Sequence, residues 1–295
     1  MTVYAFLAQA VPQTRPFWEY GKLPPEMAVA GSFFLALICL GIAADIGLVL
    51  YLIKRPVRWS ELKQELSSRS LPWQTVLVFV GVLTGLYLLA SWIYLLLFPG
   101  GVIEPKTVIF QTVFFHLPVL GLLGLLFHIA GIQGRVLFGF QWRKALSLLG
   151  LSVLLYLAAL PLLWIISALY QVVLQKFGCD FYLQDVAQLL SAPASWPVRT
   201  ALFFITIIVA PVFEEIVFRG IFLPFAVRRA GFWPGIALIS LIFGGLHLHL
   251  PSFLPLFLLS ITFCLAYART RSLLVPIGMH IMFNGVTVAL ILLMG

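Results

Sequence analysis

The sequence predicts an all-α fold, a polytopic transmembrane helical bundle of about eight spans, and composition and hydropathy are the first two reasons. Of the 295 residues, 62% are hydrophobic and only 9% are charged, and the mean hydropathy is +1.09. A soluble domain of this size needs roughly a quarter of its residues charged to cover its surface. The chain also has only three cysteines, far apart at Cys39, Cys179 and Cys264. A soluble globule, a disordered chain and a disulfide-stabilised scaffold are therefore excluded.

The individual spans follow from the lengths of the apolar segments. A helix needs ~20 mostly apolar residues to cross the ~30 Å hydrocarbon core of a bilayer. By this rule there are eight candidates, and the fifth is expected to continue as a helix toward Arg228. The candidates run approximately over Met27 to Ile53, Trp73 to Phe98, Val108 to Gly131, Leu146 to Leu174, Val198 to Arg219, Phe232 to Leu250, Phe253 to Ala268 and Leu273 to Met294.

The positions of the basic residues support this count and indicate an orientation. Of the 18 Lys and Arg residues, five follow the first span, three the third, two the fifth and two the seventh, so that twelve lie on one side of the membrane. Five lie on the other side, and Arg219 alone lies within a span. Because cytoplasmic loops are enriched in basic residues, both termini are predicted outside and the basic loops in the cytoplasm. The net charge of +8 then reflects topology, and no nucleic-acid partner is predicted.

The chain is expected to divide into three parts. Residues 1–178 hold an external N-terminal segment and the first four spans, and residues 198–295 hold the last four. Residues 179–197 between them are more polar, and they are expected to form an interfacial helix or a long external loop.

Two adjacent carboxylates deep in the fifth span mark the candidate functional site. Ionisable side chains within a membrane are costly, and they usually face a protein interior or a water-filled cavity. Glu215 and Arg219 are four residues apart on one helical face, which favours an ion pair with a structural role. Glu214 points about 100° away from that face. It has no partner on its own helix, so its partners are expected on other spans.

Side chains of the sixth and eighth spans are the expected partners of Glu214. His280 and Asn284 are four residues apart and share one face of the eighth span, and Phe243 and His247 have the same spacing in the sixth. At ~1.5 Å per residue, the carboxylate, both histidines and the asparagine lie roughly 14 to 24 Å above the cytoplasmic ends of their helices. The four polar side chains are therefore predicted to form one layer.

Other polar residues of the spans are expected to have structural roles. His116 and His128 in the third span are interpreted as helix-to-helix hydrogen bonds, as is usual for a lone histidine in a membrane. His249 is expected at the membrane interface because it lies near the end of its span. Asp45 has no evident partner and is interpreted as structural or solvated.

A carboxylate, two imidazoles and a carboxamide in a dry layer suit the hydrolysis of a peptide bond by activated water. The carboxylate would take a proton from water that an imidazole orients, and the other two groups would donate hydrogen bonds to the oxyanion. No serine nucleophile is required, since Ser240 and Ser260 lie in no GxSxG or SxxK arrangement. Two alternatives use the same residues. Two His and one Glu can hold zinc, although there is no HExxH helix, and acid and histidine chains carry protons in transporters.

Three motifs, in this order along the chain, carry a resemblance to a known family. They are EEIVFR at residues 214–219, FGGLH at 243–247 and HIMFN at 280–284. Together they resemble the CPBP group of membrane proteins, which includes the CAAX prenyl proteases and the bacteriocin-processing, Abi-like enzymes. The pattern of that group is EExxxR, FxxxH and HxxxN or HxxxB, and the sequence matches all three motifs. The resemblance covers about Trp196 to Met294, while the first four spans are identified only as membrane helices.

The resemblance implies a glutamate-type intramembrane endopeptidase with its catalytic core in residues 198–295. Glu214 would be the general base, with His247 beside the water, and His280 and Asn284 would form the oxyanion site. The remaining motif residues would support the site structurally: Glu215, Arg219 and Phe243.

The resemblance also implies a class of substrate and a location. The expected substrate is a membrane-associated or prenylated, CAAX-like protein or peptide, and the expected location is a bacterial inner membrane. No cofactor is expected, although the family was long described as metal-dependent and zinc remains the alternative. A non-proteolytic role, as a bacteriocin self-immunity scaffold or a proton-coupled carrier, is the alternative to catalysis.

Overall fold

A computed structural model describes residues 25–98, 104–179, 184–191 and 194–294, and these residues are helical apart from short connections. The predicted all-α class is therefore confirmed. The predicted external N-terminal segment lies outside the described residues. The helices are α1 Pro25–Lys54, α2 Trp59–Ser68, α3 Trp73–Leu97, α4 Pro105–Ile129, α5 Gly134–Leu137, α6 Ala145–Lys176, α7 Asp185–Ser191, α8 Trp196–Ala230, α9 Phe232–Leu246, α10 Leu250–Thr270 and α11 Leu274–Met294.

Within the described residues, seven helices are long and apolar enough to cross a membrane, namely α1, α3, α4, α6, α8, α10 and α11. The eighth predicted span corresponds to α9, which is apolar but has only 15 residues. As predicted, α8 continues past Arg219 and ends at Ala230. Large apolar side chains on the outer faces are exposed, for example Leu88 at 60% and Leu95 at 57%. Such a surface is stable only against lipid, and the protein is an integral, multi-pass membrane protein.

The predicted sixth span is too long. Helix α9 ends at Leu246, and α10 already begins at Leu250. Pro251 is among the first residues of α10, where its missing amide hydrogen is not needed, whereas inside α9 it would remove a backbone hydrogen bond. His247 and His249 therefore lie in the turn between two helices and do not share a helix.

Two π-helical segments of α8, Ile205–Val209 and Ile216–Phe222, lie on either side of the two adjacent carboxylates. Pro211 and Pro224 each come two residues after one of these segments. A proline has no amide hydrogen, so the carbonyl four residues before it must bond to a later donor. Shifting to the donor one residue further along produces a π bulge, a feature that often occurs at functional sites. The prolines of α8 therefore explain its irregular hydrogen bonding.

The interior helices approach each other closely at glycines. Helix α6 packs against α1, α10 and α11. A Cβ atom at Gly278 of α11 would lie 2.5 Å from Ser152 Oγ of α6, and one at Gly235 of α9 would lie 2.7 Å from the backbone N of Val227 of α8. Small residues at such crossings let helix backbones approach, which is the main source of packing energy between helices in lipid.

Gly41→Leu is expected to separate α1 from α6 and to lower the midpoint of thermal unfolding in detergent. A Cβ atom at Gly41 would lie 2.7 Å from Leu157 O and 2.7 Å from Pro161 Cγ. Overpacking of this kind costs about 1–3 kcal/mol. Gly47→Leu on the same helix is the matched control, because nothing lies within 4 Å of a Cβ atom there. Equal melting temperatures for the two variants would contradict this contact.

Candidate active site

A cavity of about 290 Å³ lies between α4, α8, α10 and α11. Glu214, His247, His280 and Asn284 all line it, so the structure brings together the four polar residues that were predicted to share one layer. The apolar part of its lining includes Val108, Ile205, Ala210, Leu256, Phe283 and Val288. Further polar side chains also line it, among them Gln111, Gln171 and Ser252. The cavity therefore presents several hydrogen-bonding groups among apolar walls, as ligand sites do.

Glu214 and Glu215 are adjacent in α8 but lie in different surroundings. The Glu215 side chain is fully buried, whereas 25% of the Glu214 side chain is exposed where it lines the cavity. Glu214 Oε2 is buried and has no hydrogen-bond partner among the described residues. An unpaired buried carboxylate oxygen is costly. Glu214 is therefore available to a water molecule or to a substrate group in the cavity.

Glu215 and Arg219 form the predicted ion pair, with 2.8 Å between Oε1 and Nη1 and no exposure of either side chain. Arg219 Nη2 also donates to Ser260 Oγ at 2.7 Å. The guanidinium lies 4.6 Å from the ring centre of Phe243 and 5.2 Å from that of Phe263. A buried ion pair is stable only when further hydrogen bonds and packing satisfy its charges, and these contacts supply part of that. Glu215 Oε2 and Arg219 Nε have no hydrogen-bond partner among the described residues.

His280 lies between the two carboxylates. Its Nδ1 is 2.9 Å from Glu215 Oε1, and its Nε2 is 3.9 Å from Glu214 Oε2. Because the Glu215 carboxylate, paired with Arg219, is an acceptor, Nδ1 carries a hydrogen and donates it to Glu215. Nε2 then accepts a hydrogen bond when the ring is neutral and donates one only when the ring carries both protons. Glu215 thereby determines which nitrogen of His280 faces Glu214.

His247 is oriented by the end of α9. It follows the last residue of that helix, and its Nδ1 is 2.7 Å from the backbone oxygen of Phe243. A carbonyl oxygen only accepts, so Nδ1 carries the hydrogen and Nε2 of the neutral ring is left as an acceptor. The ring packs on that of Phe243, with 4.9 Å between centres. The remaining nitrogen of His247 is thus suited to accept a hydrogen bond from water.

Asn284 connects α11 to the first π-helical segment of α8. Its Nδ2 donates to the backbone oxygen of Thr206 at 2.7 Å. Thr206 lies in Ile205–Val209, where the bulge interrupts the regular ladder. This bond orients the carboxamide, and no further hydrogen bond of Asn284 is found among the described residues. The second amide hydrogen can therefore be donated to a molecule in the cavity.

His116 of α4 also lines the cavity, which the sequence analysis did not predict. Its ring packs against Phe213, with 4.5 Å between centres, and its buried Nδ1 has no hydrogen-bond partner in the described part of the chain. The interpretation of His116 as a helix-to-helix hydrogen bond is therefore wrong. It ends a third π-helical segment, Thr112–His116, and Pro118 follows two residues later. Pro118 is the signal in the sequence that could have indicated an irregular helix at His116.

The other polar residues considered above are placed differently. His249 is buried and lines the cavity, with its Nδ1 2.7 Å from Ser252 Oγ. It lies directly before α10, and its place at the membrane interface stays a prediction. His128 is exposed on α4, and Asp45 of α1 is not among the cavity residues. Ser260 is buried and bonded to Arg219, so it is not presented as a nucleophile.

The polar segment between the two halves of the chain contributes to one end of the cavity. In its described part it forms the short helix α7, which packs against α8 and α11. Gln184, Ala187 and Leu190 of this segment line the cavity. Leu190 is buried with Leu202 and Val288. The segment therefore forms part of the wall of the site.

The side chains fit a metal site poorly. Among the residues that the structure describes, no three His, Cys, Asp or Glu side chains are arranged to hold a metal ion. His280 Nδ1 and Glu215 Oε1, two of the donors that zinc would need, are bonded to each other, and Glu215 is also paired with Arg219. A zinc ligand must present its lone pair to the metal.

The fold and the site define a class of protein: a multi-pass helical membrane protein whose core encloses a cavity with one available carboxylate, a second carboxylate paired with arginine, and several histidines. Residues 195–286 match the family model described as type II CAAX prenyl endopeptidase Rce1-like. The resemblance to the CPBP family is thereby confirmed for this part of the chain.

One curated relative supports the same assignment. The chain is 38% identical over 77 residues to a Bacillus subtilis (strain 168) protein named "Putative membrane peptidase YdiL". The aligned part is 26% of this chain and 32% of that protein, so the chain spans about a third of the length of the curated relative that it matches. No solved structure matches the chain.

Proposed function

We propose that the protein is a glutamate-type intramembrane endopeptidase, which hydrolyses a peptide bond with water activated by Glu214. The observation that carries this proposal is the contrast between the two adjacent carboxylates. Glu215 is fully buried and paired with Arg219, whereas Glu214 is 25% exposed, lines the cavity and forms no ion pair with a Lys or Arg of the described residues. The names of the matching family and of the curated relative, an endopeptidase and a membrane peptidase, support the same reaction.

The geometry supports a direct attack by water. A water molecule held between Glu214 and Nε2 of His247 gives its proton to Glu214 as its oxygen attacks the carbonyl carbon. The second amide hydrogen of Asn284 stabilises the oxyanion, and Nε2 of His280 joins it when the ring carries both protons. Each such donor contributes about 3 kcal/mol in known hydrolases. The proton held by Glu214 then passes to the leaving amine as the carbon–nitrogen bond breaks, which restores the carboxylate.

The substrate that fits this site is a membrane-associated protein or peptide. The cavity lies among helices long and apolar enough to cross a membrane, and both apolar and polar side chains line it, which fits a peptide segment held at the membrane. The description of the matching family adds prenylated, CAAX-like proteins as a substrate class. A relative from Bacillus subtilis supports a bacterial inner membrane as the location. We propose no metal cofactor for the reaction, because the ring of His280 is already held by Glu215.

Peptide hydrolysis by the purified full-length protein in H₂¹⁸O tests this proposal. A mixed peptide library is incubated with the protein in lipid nanodiscs, and the new carboxyl groups are analysed by mass spectrometry. We expect one ¹⁸O atom at each new carboxyl group. Added hydroxylamine should yield no hydroxamate, because no acyl-enzyme forms. The rate should be unchanged by 1,10-phenanthroline or EDTA.

Three outcomes would contradict the proposal in different ways. Hydroxamate products would indicate a covalent intermediate and a nucleophile other than water. Loss of activity on chelation, restored by zinc together with stoichiometric bound metal, would overturn the metal-free mechanism. Absence of any cleavage, with Glu214-dependent proton flux across the vesicle membrane, would favour a proton-coupled carrier.

A further inference from the structure

The cavity lies toward one side of the membrane. On α4 and α8 its residues extend from near the helix starts at Pro105 and Trp196 to about the middle of each helix, at His116 and Glu214. On α10 they lie within the first two turns after Leu250, and on α6 the cavity residue is Gln171, close to the helix end at Lys176. All of these helix ends face the same side, because successive spans are antiparallel.

The opposite side carries the basic helix ends. Lys54 ends α1, Arg228 and Arg229 lie in the last turn of α8, and Arg269 lies in the last turn of α10. None of the described cavity residues comes from a loop on that side. Since basic loops remain in the cytoplasm, the cavity lies in the extracytoplasmic half of the protein.

The core closes the cytoplasmic end of the cavity. Beyond Glu214 and His280 in that direction lie Arg219, Phe243 and Phe263, which are all fully buried, and the Arg219 guanidinium contacts both rings. A path from the cytoplasm to the cavity would have to break the ion pair between Glu215 and Arg219. Removing one partner from such a pair is strongly unfavourable.

Several polar side chains bound the extracytoplasmic end of the cavity, beside the buried cluster of Leu190, Leu202 and Val288. Gln184 and Ala187 of the α7 segment and Ser252 of α10 line it, and Gln171 holds this end in place through a bond to Pro251 O at 3.0 Å. No Lys or Arg is among the described cavity residues. A peptide entering here meets neutral hydrogen-bonding groups and then the carboxylate of Glu214.

We infer that the substrate reaches the site from the extracytoplasmic side. This narrows the substrate class proposed above to an extracytoplasmic segment of an exported or membrane-anchored protein or peptide, and a lipidated C-terminus on the cytoplasmic side is excluded from it. This inference rests on the proposed function for the reaction, but its evidence for sidedness comes from the position of the cavity relative to the basic helix ends.

Side-specific labelling of the full-length protein tests the sidedness without any activity. Ala187→Cys lies at the cavity and Ser60→Cys lies on exposed α2 on the basic side; both are made with Cys39→Ala and Cys179→Ala, while Cys264 is fully buried and is kept. A membrane-impermeant maleimide added to intact bacterial cells should label Ala187→Cys, and should label Ser60→Cys only after the membrane is opened. The reverse pattern would overturn the inference.

Paired reporters test the substrate class. In one reporter, a random peptide library is joined to the extracytoplasmic end of a single-span membrane anchor, and in the other to its cytoplasmic end. Each reporter is expressed once with the wild-type protein and once with the Glu214→Gln variant. We expect at least a tenfold excess of cleavage by the wild type for the extracytoplasmic library and none for the cytoplasmic one. Glu214-dependent cleavage of the cytoplasmic library would overturn the inference and leave the proposed function intact. Cleavage of neither library would contradict the proposed function, while the labelling would still decide the sidedness.

Discussion

Glu214→Gln is expected to lower kcat for peptide hydrolysis by roughly 10³, with little change in KM. General base catalysis contributes about 10² to 10⁴ to a rate, and a carboxamide cannot take the proton from water. Gln has nearly the same size, so the cavity and the neighbouring pair of Glu215 and Arg219 remain. The measurement is steady-state cleavage of a quenched fluorescent peptide selected from the library, with the protein in nanodiscs.

Glu61→Gln is the matched control for this prediction. Glu61 lies on α2, far from the cavity residues in sequence, and 55% of its side chain is exposed in an ion pair with Arg58. The same chemical change there should leave kcat unaltered. If Glu214→Gln has the melting temperature of the wild type and also its kcat, Glu214 is not the base and the proposed mechanism is wrong.

Arg219→Met is expected to have the largest effect on stability, a loss of about 3–5 kcal/mol, because it leaves the buried carboxylate of Glu215 without its partner. The change also removes the hydrogen bonds of Arg219 to Ser260 and the cation–π contacts of its guanidinium with the rings of Phe243 and Phe263. The measurement is equilibrium unfolding in mixed micelles with increasing SDS. Activity should be lost as well, since His280 would no longer be held by a fixed Glu215.

Arg58→Met is the matched control, because it removes an exposed ion pair where Arg219→Met removes a buried one. Arg58 and Glu61 are 2.9 Å apart, but 76% and 55% of their side chains are exposed. Exposed pairs contribute about 0–1 kcal/mol, so this variant should unfold almost as the wild type does. The double variant Glu215→Gln with Arg219→Met should be more stable than Arg219→Met alone, because it removes the unpaired charge. Equal effects of Arg58→Met and Arg219→Met would contradict this account.

Several contacts of the site could be predicted because they lie on one helix. The pairing of Glu215 with Arg219 follows from a spacing of four residues. The direction of Glu214 away from that pair follows from the helical turn of about 100° between adjacent residues. The contact of His247 with Phe243 also spans four residues, and it formed although His247 lies just beyond the end of α9. Local geometry was sufficient in these cases.

Contacts between distant segments could not be predicted in the same way. Nothing in the local sequence indicates that Ser260 and Phe263 of α10 surround Arg219, or that Thr206 accepts a hydrogen bond from Asn284. His116 was misinterpreted for this reason. Whether a membrane histidine bonds to a neighbouring helix or lines a cavity depends on the rotation of its helix relative to the others. A π bulge, such as the one before Pro118, changes that rotation.

The sequence by itself determined that this is a helical membrane protein, where its spans lie to within a few residues, and which side chains are too polar for lipid. These properties depend on the free energy of transferring each segment into a bilayer, which is a property of composition and length. Only the tertiary structure decided which carboxylate is paired with arginine and which lines the cavity, and which helix ends enclose that cavity. Those outcomes depend on side chains from five or more helices meeting at distances of a few ångströms, and the packing of the whole bundle sets these distances.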